Sequence, residues 1–302
     1  MLLRNSFVFL FLLFTLADSG QTQATFSTET SLVVLHASVM DKNGKLLTQL
    51  PKEAFRVAEN NVEQRISRFL REDIPVSMGL IIDNSGSMRN KRQKVEAAAL
   101  ALVKNSNPKD EVFIVNFNDE AYLDVPFTND IKKMEEGLSQ INSRGGTAMR
   151  DAISMSIDEA KEKGKRDKRV LLVVTDGNDN TSLMTYEKLI EKAHRSEVLI
   201  YCIGLLNEEE RREALKAKKA LQGLAAASGG LAFFPKELAE TEKIALEVAY
   251  EIRNQFMLAY SPSNSALDGT FRTIKVSVKG PGNPTVRTRS GYYAKAAGRK
   301  GS

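Results

Sequence analysis

Between residues 31 and 71, apolar and polar positions alternate with a period close to two. Leu32-Val33-Val34-Leu35-His36-Ala37-Ser38-Val39 is followed by Phe55-Arg56-Val57 and Ile66-Ser67-Arg68-Phe69, with breaks at Asp41-Lys42-Asn43-Gly44 and Asn60-Asn61. Such alternation sets one strand face against a core and the other in water, and Asn, Asp and Gly supply the tight turns between strands. The stretch 26–74 is expected to form a small antiparallel β module.

From Pro75 the pattern changes. Apolar runs at Val76 to Ile82, Glu111 to Phe117, Val170 to Thr175, Val198 to Gly204 and Leu231 to Phe234 are separated by stretches of helical period. Those stretches are Lys91 to Lys104, Ile131 to Ile141, Met149 to Lys163, Tyr186 to Arg195 and Glu208 to Ala226. Strands buried on both faces and alternating with helices predict an α/β unit with a doubly wound, mostly parallel, Rossmann-like sheet. A last helix near Ala239 to Arg253 leads to Phe256-Met257-Leu258-Ala259-Tyr260, Thr270 to Val278 and Thr285 to Tyr293. These read as C-terminal β strands over 256–294, packed with the N-terminal module and followed by a basic tail, 295–302.

At 302 residues, 42% hydrophobic and 27% charged, the chain has apolar surface enough for one large core and a smaller second one. Residues 1–20 read as a secretory signal peptide: Arg4, an apolar run from Phe7 to Phe14, then Ala17, Ser19 and Gly20, with cleavage near Ser19 to Gln21. A membrane-spanning helix needs about 20 apolar residues, and this run is shorter. The expectation is an exported protein, secreted or held in the periplasm or cell envelope, without a stable membrane span after cleavage. The only cysteine, Cys202, lies in an apolar strand-like run, so no internal disulfide forms.

The formal charge of +5 is unevenly spread. From Arg253 to Ser302 there are nine Lys or Arg and one acidic residue, so the rest of the chain is slightly acidic. The basic residues alternate along apparent strands without a recognisable reader module, which marks a solvated face and argues against nucleic acid. His36, in a strand, and His194, in a helix, stand apart from any nucleophile and read as structural.

The candidate chemistry lies at strand ends. The first apolar strand runs into Asp83-Asn84-Ser85-Gly86-Ser87-Met88, bringing one carboxylate and two hydroxyls onto one loop. Gly145-Gly146-Thr147 precedes a helix, and Thr175-Asp176-Gly177 follows the apolar strand Val170 to Val174. Open α/β sheets bind ligands at the carboxyl ends of strands, where strand order reverses. The donors are all hard oxygens, suited to Mg²⁺, Mn²⁺ or Ca²⁺ and not to Zn²⁺. Asp151 reads as helix-capping or as support for the ligands, and Asp179 and Asn180 as a polar loop.

In this order and spacing, Asp83-x-Ser85-x-Ser87, Gly145-Gly146-Thr147 and Thr175-Asp176-Gly177 resemble the metal-ion-dependent adhesion site (MIDAS) of von Willebrand factor A (VWFA) domains. With its flanks, Asn254-Gln255-Phe256 to Tyr260 and Gly291-Tyr292-Tyr293 among them, the chain also resembles secreted bacterial VWFA-related proteins. The resemblance implies a VWFA domain over 75–255. It implies one divalent cation, Mg²⁺ first and Mn²⁺ or Ca²⁺ as alternatives, with metal residues Asp83, Ser85, Ser87, Thr147 and Asp176. Asp83 and the two serines would touch the metal, Thr147 in some states, and Asp176 would act through water. It further implies a non-enzymatic binding module whose cation captures an Asp or Glu carboxylate of a partner protein. Two other readings compete: an Mg²⁺-dependent hydrolase or phosphotransferase on a similar sheet, with Asp83 as nucleophile or metal carboxylate, and a metal-independent structural envelope protein.

Overall fold

The computed structural model describes residues 32–294 except Glu72, residues 140–142, Asn178, residues 207–209 and Pro281. The expected signal peptide, the basic tail and the acidic pair Glu208-Glu209 lie outside the described residues. Fourteen strands and six helices follow one another among the described residues, beginning with β1 (Val33–Met40), β2 (Phe55–Glu59), β3 (Val62–Gln64) and β4 (Ile66–Leu70). Next come β5 (Val76–Asp83), α1 (Arg92–Lys104), β6 (Glu111–Phe117), β7 (Ala121–Thr128), α2 (Ile131–Ser139), α3 (Met149–Lys163) and β8 (Lys168–Thr175). The chain continues through α4 (Tyr186–Ser196), β9 (Val198–Gly204), α5 (Arg211–Ser228), β10 (Ala232–Phe233) and α6 (Thr241–Arg253). It closes with β11 (Phe256–Tyr260), β12 (Phe271–Val278), β13 (Thr285–Arg287) and β14 (Gly291–Tyr293).

The central sheet has the order β10-β9-β8-β5-β6-β7, parallel throughout except that β7 runs antiparallel to β6. The sequence supports this because β5, β6 and β9 are buried at every position, the pattern of strands covered on both faces. Period two divides β5 between two cores. Met78, Leu80 and Ile82 meet Val95, Ala98 and Leu102 of α1, Met134 and Leu138 of α2 and Val248 and Ile252 of α6. Ile81 faces the other way, toward Ile153 and Ile157 of α3, Leu189 of α4 and Leu221 of α5. Gly79 shares the Ile81 face, and a Cβ there would come within 2.4 Å of the Phe113 ring. Chain order reverses beside β5, which neighbours β6 on one side and β8 on the other, so the switch point at which such sheets bind ligands lies at the ends of β5 and β8.

The flanking segments build two further four-stranded antiparallel sheets, β13-β1-β11-β4 and β14-β12-β2-β3. Strands from before and after the α/β unit alternate in the first, where β1 pairs with β11 and β13, and meet once in the second, where β12 of the β12-β14 pair joins β2 of the β2-β3 hairpin. Their inner faces share a core of Leu35, Val39, Phe55, Val57, Phe256, Leu258 and Ile274, with the Phe55 and Phe256 rings 4.9 Å apart. Asn60 and Asn61 take positive φ of 47° and 64° between β2 and β3, the conformation that tight hairpins ask of Asn. A polar joint ties these sheets to the α/β unit. The Glu251 carboxylate of α6 accepts from Ser38 Oγ at 2.9 Å and Tyr201 Oη at 2.7 Å, and pairs with Arg287.

Two expectations are corrected. Thr285 to Tyr293 is not one strand: β13 and β14 belong to different sheets, with Arg289 between them. The antiparallel edge strand β7 lies in a segment whose pattern offered no strand, because Tyr122, Leu123 and Asp124 face water and Pro126 interrupts it. Proline is tolerated at a sheet edge, where no further strand needs its missing N–H.

Candidate functional site

Asp83 ends β5 with a fully buried side chain, 1% exposed. Its Oδ1 accepts from the Ser85 backbone N–H at 2.8 Å and its Oδ2 from Thr175 Oγ1 at 2.6 Å, so β5 and β8 are cross-linked where both end. Burial raises the Asp83 carboxyl above the usual carboxylate range, against the opposing hydrogen bonds from Thr175 and Ser85, and the charge of Asp176 raises it further. That is the environment of a carboxylate short of a positive charge.

The two serines carry the network outward. Ser85 Oγ lies 3.1 Å from Ser87 Oγ, which donates to Asp176 Oδ1 at 2.8 Å. Asp176, just past β8, has its other oxygen, Oδ2, ion-paired with the Lys91 ammonium at 2.5 Å. Lys91 reaches across from the start of α1 and also donates to the Leu205 carbonyl at 3.4 Å. The sequence reading gave Lys91 no role at the site.

The Thr147 loop joins through backbone bonds. Arg144 N–H donates to the Asn84 carbonyl at 2.9 Å, and Gly86 N–H to the Gly145 carbonyl at 3.3 Å. Gly145 has φ +76°, and a Cβ there would come within 2.1 Å of Asp119 Oδ2, so only glycine fits. Asp119, between β6 and β7, accepts from Gly146 N–H at 2.7 Å and clamps this turn. Thr147 is buried, its N–H donating to Asn180 Oδ1 at 2.8 Å and its carbonyl accepting from Asn180 N–H at 3.1 Å. Asp83, Ser85, Ser87, Thr147 and Asp176 thus lie on three loops bonded to one another.

The neighbouring acids have structural tasks. Asp179 accepts from Arg150 N–H at 2.6 Å, pairs with the Arg150 guanidinium at 2.8 Å and accepts from Ser182 Oγ. Asp151 accepts from the Leu183 and Met184 N–H groups, both at 2.8 Å, and so fixes the loop after β8; it is not a helix cap. Asp119 was missed because Asn118-Asp119-Glu120 reads as an ordinary turn.

The donor set is two carboxylates, Asp83 and Asp176, with the hydroxyls of Ser85, Ser87 and Thr147. No group of three or more His, Cys, Asp or Glu side chains converges among the described residues. His36 lies at the opposite end of the sheet, lining a cleft with Lys168, the first residue of β8, and His194 packs on the Phe271 ring at 4.8 Å. A small hard cation taking oxygen ligands, with water completing its shell, fits this set; a thiolate- or imidazole-seeking ion does not.

Residues 78–178 match the family described as von Willebrand factor type A domain. A stretch of 227 residues is 25% identical to inter-alpha-trypsin inhibitor heavy chain H4 of Sus scrofa, covering 68% of this chain and 24% of that protein. A shorter stretch of 86 residues is 37% identical to integrin alpha-11 of Homo sapiens, covering 27% of this chain and 7% of that protein. The matched segments therefore span a quarter or less of these relatives. A solved von Willebrand factor type A structure from Catenulispora acidiphila shares the fold, with a TM-score of 0.52 at 14% identity over 80% of this chain and 73% of that one. The six-stranded sheet, the helices on both its faces and the family match together establish that this chain contains a von Willebrand factor type A domain.

Proposed function

We propose that this protein is a non-enzymatic, cation-dependent protein-binding module, an adhesion or scaffold protein exported to the cell envelope or beyond. Its domain is taken as residues 75–255. One divalent cation, Mg²⁺ first, is held at a MIDAS of Asp83, Ser85, Ser87, Thr147 and Asp176. When bound, the ion supplies a partly neutralised positive centre that attracts an Asp or Glu carboxylate of a partner protein. The observation that carries this reading is the continuous chain Asp83–Ser85–Ser87–Asp176, in which hydroxyls separate two carboxylates at the sheet's switch point.

The residues divide the work by burial. Asp83 supplies charge from below and, held by Thr175 and Ser85, keeps lone pairs free, since an ionised carboxylate has about four acceptor sites. Ser87, exposed at the rim, and Ser85, buried behind it, turn hydroxyl oxygens to the same point. Thr147 sits on a turn held rigid by Asp119 and Asn180. Export is supported by the apolar run in residues 1–20, and no helix among the described residues is long and apolar enough to cross a membrane.

The test is calorimetric titration of the purified protein with Mg²⁺, Mn²⁺ and Ca²⁺, followed by capture of partners with and without chelator. One saturable site and chelator-sensitive capture are expected; indifference to the metal would leave a metal-independent structural role. Lys91 is the one feature that favours the hydrolase reading, since it sets an ammonium against a strand-end carboxylate. Against it, the Asp83 carboxylate is buried and accepts a hydrogen bond at each oxygen, which disfavours it as the nucleophile of an in-line attack on a phosphate ester. The same preparation is therefore expected not to turn over p-nitrophenyl phosphate.

Lys91 also predicts a gain of function. Its ammonium occupies the Asp176 oxygen that an incoming ion needs. Two like charges about 4 Å apart repel by about 4 kcal/mol at an effective dielectric near 20, and solvent at a side chain 28% exposed screens most of that. Lys91→Met is expected to tighten Mg²⁺ binding about tenfold by calorimetry. Unchanged affinity would mean that the ammonium swings aside at no cost.

A further inference from the structure

At the far end of the sheet, where β8 and β9 begin, the β sheets and the α/β unit enclose a cleft of about 640 Å³, with a second of about 500 Å³ beside it. Arg289 lines both. It is 6% exposed, and its Nε, Nη1 and Nη2 are buried without a hydrogen-bond acceptor. The nearest carboxylate oxygen, Glu197 Oε1, stands 3.8 Å from Nη1, beyond hydrogen-bond reach, on a half-exposed side chain. The Tyr292 ring, its centroid 5.4 Å from Cζ, offers only a weak π contact. A buried guanidinium with no acceptor is costly, and such groups are held in place by a partner.

The surroundings repeat the same sign. Lys168, 3% exposed, lines the larger cleft and gives a hydrogen bond to the Ile252 carbonyl. Burial pushes its pKa down to about 7. His36 of β1 lines the same cleft, and its imidazole is held well below its ordinary value by burial and by the charges of Lys168 and Arg289. Basic residues outnumber acidic ones in the walls of both clefts. The larger cleft also has an apolar side, formed by Val34, Leu70, Ile74, Pro75, Leu199 and Met257.

We infer that this cleft is a second ligand site, separate from the strand-end loops, which takes a small amphiphilic anion: a phosphate or carboxylate head on Arg289 and Lys168, with an apolar body along Val34, Leu70 and Met257. The planar fork of Arg289 suits such a head, because its parallel N–H groups match two oxygens of one oxyanion. Inorganic phosphate meets only the head of the site, whereas an alkyl phosphate meets both parts.

The full chain is titrated with octyl phosphate, inorganic phosphate and octanol, and binding is followed by calorimetry and thermal midpoint. Octyl phosphate is expected to bind at least tenfold tighter than inorganic phosphate, with no response to octanol. Arg289→Met is expected to weaken octyl phosphate at least tenfold while leaving Mg²⁺ binding at the strand-end loops unchanged. Should that variant fail to fold, Leu70→Trp, at a position already 40% exposed, narrows the apolar side and is expected to weaken octyl phosphate alone. Equal responses to octanol and octyl phosphate, or octyl phosphate affinity untouched by either substitution, would overturn the assignment.

Discussion

Replacing Asp83 by asparagine is expected to abolish saturable Mg²⁺ binding while leaving the metal-free fold within about 1 kcal/mol of the wild type, a change typical of retained hydrogen bonds. The amide keeps the shape and one acceptor for Ser85 N–H, and the Thr175 hydroxyl can turn to accept from the new NH₂ group. What is lost is charge. Of the two carboxylates at the site, Asp176 is already matched by Lys91, so without Asp83 the loops carry no net attraction for a cation. In the wild type, Mg²⁺ at a hundred times its dissociation constant adds about 2.7 kcal/mol of stability by linkage. At roughly 2–4 °C per kcal/mol for a domain of this size, the thermal midpoint rises several degrees. Asp83→Asn is expected to show no such rise.

The pH dependence gives the same test a second reading. Burial raises the Asp83 pKa in the metal-free fold. Its contribution to stability is therefore present below the ordinary carboxylate value of about 3.9 and lost as pH rises through the raised value. A bound cation favours the ionised form and reverses this step, and the asparagine variant has no step to reverse. Equal Mg²⁺ responses from wild type and variant at neutral pH would sink the proposed role of Asp83.

The elements most legible in the sequence are those whose signal is local. β6, β9 and α3 have the bounds that pattern alone sets, because apolar runs and helical periods end at Asn, Gly or charged residues. The closeness of Asp83 and Asp176 was legible for a topological reason: the two aspartates end parallel strands, and parallel strands end on one edge. What the pattern could not carry is pairing between distant segments. Nothing near Val33 announces that it will pair with Tyr260, and nothing near Thr285 announces that its neighbour Gly291 joins another sheet. Lys91 and Arg289 were illegible for a related reason, since long flexible side chains are placed by the completed fold. Asp119 was hidden by its residue type, because an aspartate in a turn accounts for itself.

Glu59→Gln is expected to cost about 3–5 kcal/mol, the range for breaking a buried ion pair by removing one partner. Glu59 and Arg272 are 3% and 2% exposed at their side chains and lie 3.1 Å apart. Glu59 Oε2 accepts from Tyr260 Oη and Tyr292 Oη, both at 2.8 Å, while Arg272 also donates to the Asn264 and Ala266 carbonyls. One carboxylate thus joins β2, β11, β12 and β14, strands from both flanking segments and from both sheets, so its loss falls on the step that closes the sandwich. The amide leaves the guanidinium buried without a counter-charge, and two carbonyl dipoles do not replace it. Urea unfolding should register the loss as a lower midpoint. The paired change Glu59→Leu with Arg272→Met is expected to recover much of it, because an apolar pair leaves no charge behind. The tyrosines add a check at high pH. Burial and the bond to Glu59 push Tyr292 up to about 12 and raise Tyr260 as well. Their contribution is complete below the unfolded value of about 10 and is lost as pH rises through 12. The wild type should weaken over that window, and Glu59→Gln, with its tyrosines relieved of a negative neighbour, should weaken less. A loss below about 1 kcal/mol on Glu59→Gln would mean that the pair is solvated in solution and that the apolar core around Phe55 and Phe256 holds the sandwich by itself.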